Sequence, residues 1–131
     1  MVEMGDAGTA ELARRVEAEA DPRAALVLLV AVAVESLQSG HPALSALTAA
    51  MPAELRSTMQ GHEERAEDLV VEVLRRGLRE GVFRADLDPE LDGRILHRAA
   101  VAGAELARRE GVDPAQLVDR LSDDLWRAVK P

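Results

Sequence analysis

Few residues of this chain have a type and spacing that could do chemistry, and the three histidines are the first to consider. His62 falls on an otherwise apolar side of a helical pattern, one turn from Met59. It could give a ligand a polar contact, because binding pockets combine apolar walls with a few polar groups. It could also lie at the solvent edge of that side or be hydrogen-bonded in the core. His97 could line a pocket or an interface, or lie at a partly exposed rim, and His41 is expected in a loop.

Catalytic and metal sites are not expected. The chain has no cysteine, which excludes disulfides, thiolate metal ligands and cysteine nucleophiles. The pair His62-Glu63 lacks the second histidine of a zinc-binding helix, because Ala66 stands at that position. The acidic residues from Asp88 onward resemble the start of a calcium-binding loop. The twelfth position of such a loop needs a bidentate glutamate, but here it is Ala99. No carboxylate pair suits acid–base catalysis, so we expect no enzyme activity, no metal and no cofactor.

Composition and charge narrow the functional class further. The 131 residues fit one domain, and a hydrophobic content of 47% allows a real core. Aromatic residues make up 2%, which argues against stacking platforms for single-stranded nucleic acid. The formal net charge of -8 disfavours contact with a phosphate backbone. No signal peptide is recognisable and the longest apolar run, Ala24 to Val34, is too short to span a bilayer, so we expect a cytoplasmic protein without membrane contact.

Helix start and stop signals predict an all-α fold. Asp-Pro pairs begin at Asp21, Asp88 and Asp113, and each combines a side chain that caps a helix N-terminus with a proline suited to the first turn. Gly81 and Gly111 are placed to end helices in the left-handed conformation. We expect one helical domain over residues 9–131, preceded by disordered residues 1–8. The predicted helices cover residues 9–20, 22–39, 42–51, 52–80, 89–110 and 114–129.

Apolar residues cover more than one side of the last two predicted helices, whereas a surface helix usually buries one stripe. The helix from Pro89 has a first stripe of Leu91, Ile95, Ala99, Ala102 and Leu106. A second stripe, about 100° further round the helix, is rich in small residues that permit close approach. We predict a dimer in which two helices of each subunit form a four-helix interface, although one domain could also consume this surface. The predicted interface residues are Leu96, Ala100, Gly103, Ala107, Val118, Leu121, Leu125 and Trp126.

The segment from Leu74 to Pro89, Leu-Arg-Arg-Gly-Leu-Arg-Glu-Gly-Val-Phe-Arg-Ala-Asp-Leu-Asp-Pro, is similar to a recurrent stretch of TetR-family (tetracycline-repressor-like) transcription regulators. In that family a long helix ends in a Gly-x-x-x-Gly turn, followed by an aromatic residue, an arginine and Asp-Leu-Asp-Pro. A small-residue helix with a central glycine follows, here Gly103. Asp21-Pro22 and His41-Pro42 resemble the usual openings of the family's fifth and sixth helices. The resemblance extends over about residues 9–129.

This resemblance implies an all-helical effector-binding and dimerisation domain of six helices, in which the last two helices form the dimer bundle. It also implies a pocket between the middle helices for a small, often apolar ligand. In the family, ligand binding changes the separation of two DNA-reading heads. From the helix faces and the family's usual pocket position, the expected pocket residues are Val34, Leu37, Leu55, Met59, His62, Ala66 and Leu69.

The family's helix-turn-helix half has no counterpart in this sequence. It would precede the first helix, but residues 1–20 are acidic and alanine-rich and contain no recognition helix. We therefore expect no direct contact of this chain with operator DNA. The leading hypothesis is a homodimeric repressor domain that senses a small molecule. The alternative is an interaction module without a ligand, which forms heterodimers with a full-length relative.

Overall fold

The computed structural model describes residues 2–39 and 52–131, except for the side chains of residues 2–9, 36–39, 55–56, 58–60 and 62–63. This part of the chain contains helices and no strand, so the all-α prediction is confirmed. The predicted helix over residues 42–51 lies outside the described residues. The helices are α1 (Val2–Ala18), α2 (Pro22–Ser39), α3 (Ala53–Glu80), α4 (Pro89–Glu110) and α5 (Pro114–Val129).

The first helix starts earlier than predicted. It begins at Val2, whereas the expected start was Thr9 with residues 1–8 disordered. The predicted helix start at Thr9 is therefore wrong. No capping residue marks the start of α1, and Gly5 and Gly8 lie within the helix. Each glycine costs only about 1 kcal/mol relative to alanine in a helix, and the alanine, methionine and glutamate around them are good helix formers.

The Asp-Pro pairs cap their helices as predicted. The Oδ1 atom of Asp88 accepts hydrogen bonds from the backbone N–H groups of Glu90 and Leu91, at 3.1 and 3.3 Å. Asp113 accepts one from the N–H of Gln116 at 3.2 Å. A proline follows each aspartate in the first turn, where a helix has no use for its missing N–H.

The two predicted stops also have the expected geometry. Gly81 and Gly111 both adopt φ of 72°, the left-handed conformation that glycine tolerates best. The N–H of Val82 then donates to the carbonyl of Gly77 at 3.0 Å, and an equivalent bond of 2.9 Å follows Gly111. These hydrogen bonds form Schellman motifs, which satisfy the last carbonyls of the helix and reverse the chain sharply.

Helices α3 and α4 form an antiparallel pair. Arg75 of α3 pairs with Glu90 near the start of α4, and Glu67, two turns earlier, pairs with Arg98, two turns later. Helix α2 contacts all the other described helices. It carries no charged residue between Ala24 and Val34, as its central position requires.

The C-terminal end of α5 is fastened to the α3–α4 turn and to α2. The rings of Phe83 and Trp126 meet edge to face with centroids 6.4 Å apart, and the guanidinium of Arg23 lies 4.3 Å from the Trp126 ring centroid. The N–H of Arg84 donates to the carbonyl of Val129 at 2.7 Å. The core around these contacts consists of Val16, Ala25, Leu26, Leu29, Val30, Val34, Val70, Val73, Leu74, Phe83, Leu87, Leu96, Ala104, Ala107, Leu117, Leu125 and Val129.

Candidate functional site

The small-residue side of α4, which was expected to meet a partner subunit, faces the interior of its own chain. Leu96, Ala100 and Ala107 are 8%, 7% and 6% exposed. Gly103 lies against Leu121 of α5, and a β-carbon built on this glycine would be 2.9 Å from Cδ2 of that leucine. The close approach that these small residues permit is therefore used for helix packing within one chain.

The α5 residues of the expected interface are also packed internally. Leu125 is 8% exposed and belongs to the core, and Val118, Leu121 and Trp126 pack against that core. The alternative considered for this surface, that one domain consumes it, accounts for these residues. The dimer stays a prediction, but its interface would have to use a surface other than these internally packed residues.

The outer side of α5 is charged. Arg120, Asp124 and Arg127 are exposed there, with the aspartate 3.8 and 3.6 Å from the two arginines. A four-helix interface with two helices from each subunit needs an apolar outer side on both of them. Helix α5 does not offer one, so we limit the candidate surface to α4.

The first stripe of α4 is the most exposed apolar surface of the described chain. Leu91, Ile95 and Leu106 are 57%, 53% and 53% exposed. Ala99 and Ala102 lie between them and are exposed as well. Because the five residues share one side of α4 over about four helical turns, they form a continuous band, the α4 stripe. Contiguous exposed apolar patches commonly mark interaction sites.

Two arginines border the α4 stripe on the side of α3. Arg94 Nε lies 3.5 Å and Arg98 Nε 3.9 Å from the carboxylate oxygens of Glu67, whose side chain is only 14% exposed. Arg94 also lies 3.5 Å from Glu90, one turn earlier on α4. These ion pairs draw both long side chains towards α3, which leaves the apolar surface of the stripe uncovered.

The structure describes the side chains of part of the expected pocket. Val34 is 3% exposed and lies in the core, Leu69 packs against that core, and Ala66 is partly buried. Helices α2 and α3, which would form the pocket walls, are in contact. The pocket as a whole stays a prediction. Outside the described side chains lie Leu37, Leu55, Met59 and His62.

The histidines contribute little to a site in the described part of the chain. His97 is partly buried on α4. His41 and the side chain of His62 lie outside the described residues. Across residues 2–39 and 52–131, no group of three or more histidine and acidic side chains is placed to hold a metal ion.

Arg76 is a partly buried cation on α3. Its Nη1 donates to the carbonyl of Val16 at 3.3 Å, near the C-terminal end of α1, where the helix dipole is negative. Its Nε and Nη2 are buried and find no hydrogen-bond partner among the described residues. The sequence does contain a signal for this burial. Arg76 lies three residues after Val73, and residues three apart share one side of a helix.

No family model, curated protein or solved structure matches this chain. Within the described residues, no helix combines the length and the apolar character needed to cross a membrane. The fold and its exposed surfaces are thus the basis for a functional proposal.

Proposed function

We propose that this chain is an effector-binding and dimerisation domain of TetR type, without catalytic activity and without direct contact with DNA. The observation that carries the proposal is the exposed α4 stripe. It lies on a domain with an internal core of its own, and the packing of the described helices leaves it uncovered. A homodimer would bury it, and the net charge of -8 favours a protein partner over a nucleic acid.

The α3–α4 turn supports the family resemblance. Gly77, Gly81 and Phe83 each have a separate role in it: the first gives room to the phenyl ring, the second reverses the chain, and the third joins the core. Asp88 then caps α4. The residues that carry the resemblance are those that reverse the chain between a long helix and the helix bearing the stripe.

Burial of the α4 stripe supplies the driving force for association in this proposal. Complete burial of a leucine or isoleucine side chain is worth about 1.5–3 kcal/mol, so covering the exposed half of three such side chains on two copies is worth roughly 5–9 kcal/mol. Association costs about 4–15 kcal/mol in lost freedom of motion. Because the two quantities are comparable, the stripe supports a reversible dimer rather than an obligate one.

Native mass spectrometry over a range of protein concentrations tests the dimer. We expect a mass near twice 14.1 kDa, and we expect Ile95→Glu to shift the population to monomers because it places a charge in the stripe. The matched control is Val27→Glu, which changes another exposed β-branched residue, on α2, and should leave the dimer intact. A dimer that survives Ile95→Glu would remove the α4 stripe from the proposal.

The proposed effector site lies between α2 and α3, and the same spectra test it. A small molecule retained on the dimer would support a ligand sensor, whereas a bare dimer would favour an interaction module. Met59→Trp should fill the expected pocket and weaken binding of the apolar dye Nile red without loss of helicity. Ser57→Trp, at an exposed position of the same helix, is the control. Equal dye binding by both variants would mean that the pocket is misplaced.

A further inference from the structure

We propose that the α4 stripe pairs with the α4 stripe of a second copy of the chain in the antiparallel direction, about a two-fold axis that passes between Arg98 and Ala99. This inference rests on the proposed dimerisation function. It adds which helix of each copy meets the other and in which register.

The spacing of the α4 stripe is symmetrical about that axis. A helix turns about 100° and rises about 1.5 Å per residue. With these values Leu91 and Leu106 lie equally far from the axis along the helix and on opposite sides of the midline of the stripe, and so do Ile95 and Ala102. The two-fold rotation therefore brings Leu91 against Leu106 of the partner subunit, and Ile95 against Ala102 of the partner subunit.

The sizes of the paired side chains fit this register. Near the axis, a large residue meets a small one in the pair of Ile95 and Ala102, and Ala99 lies beside this pair on the stripe. These alanines let the two helices approach closely. Leucines meet at both outer ends, where they exclude water from the centre.

Charges at the ends of α4 favour antiparallel over parallel pairing. Asp88 at the N-terminal cap and Arg109 in the last turn are related by the same two-fold axis, so each end of the pair would bring opposite charges together. Asp88 uses Oδ1 for capping, which leaves its Oδ2 for a further contact. Arg109 makes no ion pair with the residues that the structure describes. Parallel pairing would instead place like charges side by side.

Disulfide cross-linking tests the register, because the chain has no cysteine of its own. Leu91→Cys and Leu106→Cys would be prepared with tags of different mass, mixed at a concentration where the dimer dissociates, concentrated and then mildly oxidised. We expect a disulfide-linked dimer containing one copy of each variant. It should form roughly tenfold faster than a disulfide within either variant alone, because paired thiols have a high effective concentration.

The matched control is a mixture of Leu91→Cys with Ile95→Cys, which places both thiols in the same half of the stripe and should not cross-link. Circular dichroism checks that each variant keeps its helix content. A disulfide within Leu91→Cys alone would indicate parallel pairing and overturn the inference. A dimer in native mass spectra without any cross-link would overturn the register and leave the dimerisation function standing, whereas monomers throughout would overturn both.

Discussion

The phenyl ring of Phe83 packs directly on the backbone of Gly77. A β-carbon built on this glycine would lie 2.8 Å from Cγ of Phe83, with other ring atoms closer still. Gly77 does not have a positive φ, unlike Gly81 in the same turn. The two glycines of the Gly-x-x-x-Gly turn therefore have different roles: Gly77 provides space, and Gly81 provides the left-handed conformation.

Gly77→Ala should lower the free energy of unfolding by about 1–3 kcal/mol, the usual range for an added group in a packed core. The ring of Phe83 cannot move away freely, because it is 3% exposed and contacts Trp126. Gly61→Ala is the matched control in the same helix. Among the described atoms, the nearest to a β-carbon there is Nη1 of Arg65, 3.7 Å away, so this change should stabilise the protein by about 1 kcal/mol through helix propensity. Urea denaturation measures both variants.

The Gly77–Phe83 contact can be isolated by a double-mutant cycle. In a Phe83→Ala background the ring is gone, so Gly77→Ala should no longer destabilise the protein and should approach the result for Gly61→Ala. The coupling free energy should exceed about 1 kcal/mol, since contacting residues are not additive. An equal effect of Gly77→Ala in both backgrounds would contradict the contact.

Two glycines of α4 should differ in their tolerance of alanine. A β-carbon on Gly93 would lie 2.7 Å from Cγ2 of Val71 and 3.1 Å from its Cα, so α3 itself would have to move. At Gly103 the nearest described atom is Cδ2 of Leu121 at 2.9 Å, the flexible end of a side chain. We expect Gly93→Ala to cost about 1–3 kcal/mol and Gly103→Ala clearly less. Thermal unfolding followed by circular dichroism compares them, and a larger loss for Gly103→Ala would contradict the packing described.

The position of Gly103 also changes what a bulky substitution there would test. Gly103→Arg would test a dimer only if the small-residue side of α4 met a partner subunit. Because Gly103 faces Leu121 of the same chain, the arginine would push α4 and α5 apart and lower the stability of the single domain. We expect a lower melting temperature for Gly103→Arg, whereas Ile95→Glu should change the oligomeric state at an unchanged melting temperature of the monomer.

The helix boundaries were readable from sequence where local chemistry decides them. Asp88 with Pro89 and Gly111 fix the two ends of α4 through hydrogen bonds within a few residues, and such bonds need no tertiary context. The start of α1 was misjudged because no capping residue determines it. The ends of a helix were thus predictable wherever a capping residue or a left-handed glycine was present.

The inward side of α4 could not be read in the same way. Both of its stripes are apolar, and small residues such as Ala100 and Gly103 indicate close helix packing without saying whether the neighbour belongs to the same chain. Only the packing of α5 decides this, through contacts such as that of Gly103 with Leu121. The stripe with the larger residues Leu91 and Ile95 faces outward instead. The candidate interface therefore lies about a third of a helical turn away from the predicted one.

Reversal of one charge at the end of the α4 stripe should weaken the dimer modestly. Arg109→Glu would place a carboxylate near Asp88 of the partner subunit in the antiparallel register. Exposed ion pairs are worth about 0.2–1 kcal/mol, so we expect the dimer dissociation constant to rise by a factor of roughly 2–10 once repulsion is added, with a smaller effect at high salt. Sedimentation equilibrium measures the constant. Gln116→Glu, an exposed change on α5, is the control, and identical constants for both variants would contradict the charge pairing.

Arg76→Met should raise the stability of the protein. The two buried guanidinium nitrogens without described partners each carry a desolvation penalty of about 1–3 kcal/mol, whereas the single hydrogen bond to the carbonyl of Val16 returns about 1.5–3 kcal/mol. Methionine keeps the unbranched shape without buried N–H groups, so we expect a net gain of about 1 kcal/mol.

The control for this change is Arg79→Met, which alters an exposed arginine in the last turn of the same helix and should move the free energy of unfolding by less than about 0.5 kcal/mol. Urea denaturation separates the two cases. A loss of stability in Arg76→Met alone would show that the bond from Arg76 to the end of α1 outweighs the burial of its unpaired nitrogens. It would make the bond from Arg76 to the carbonyl of Val16 a stabilising link between α1 and α3.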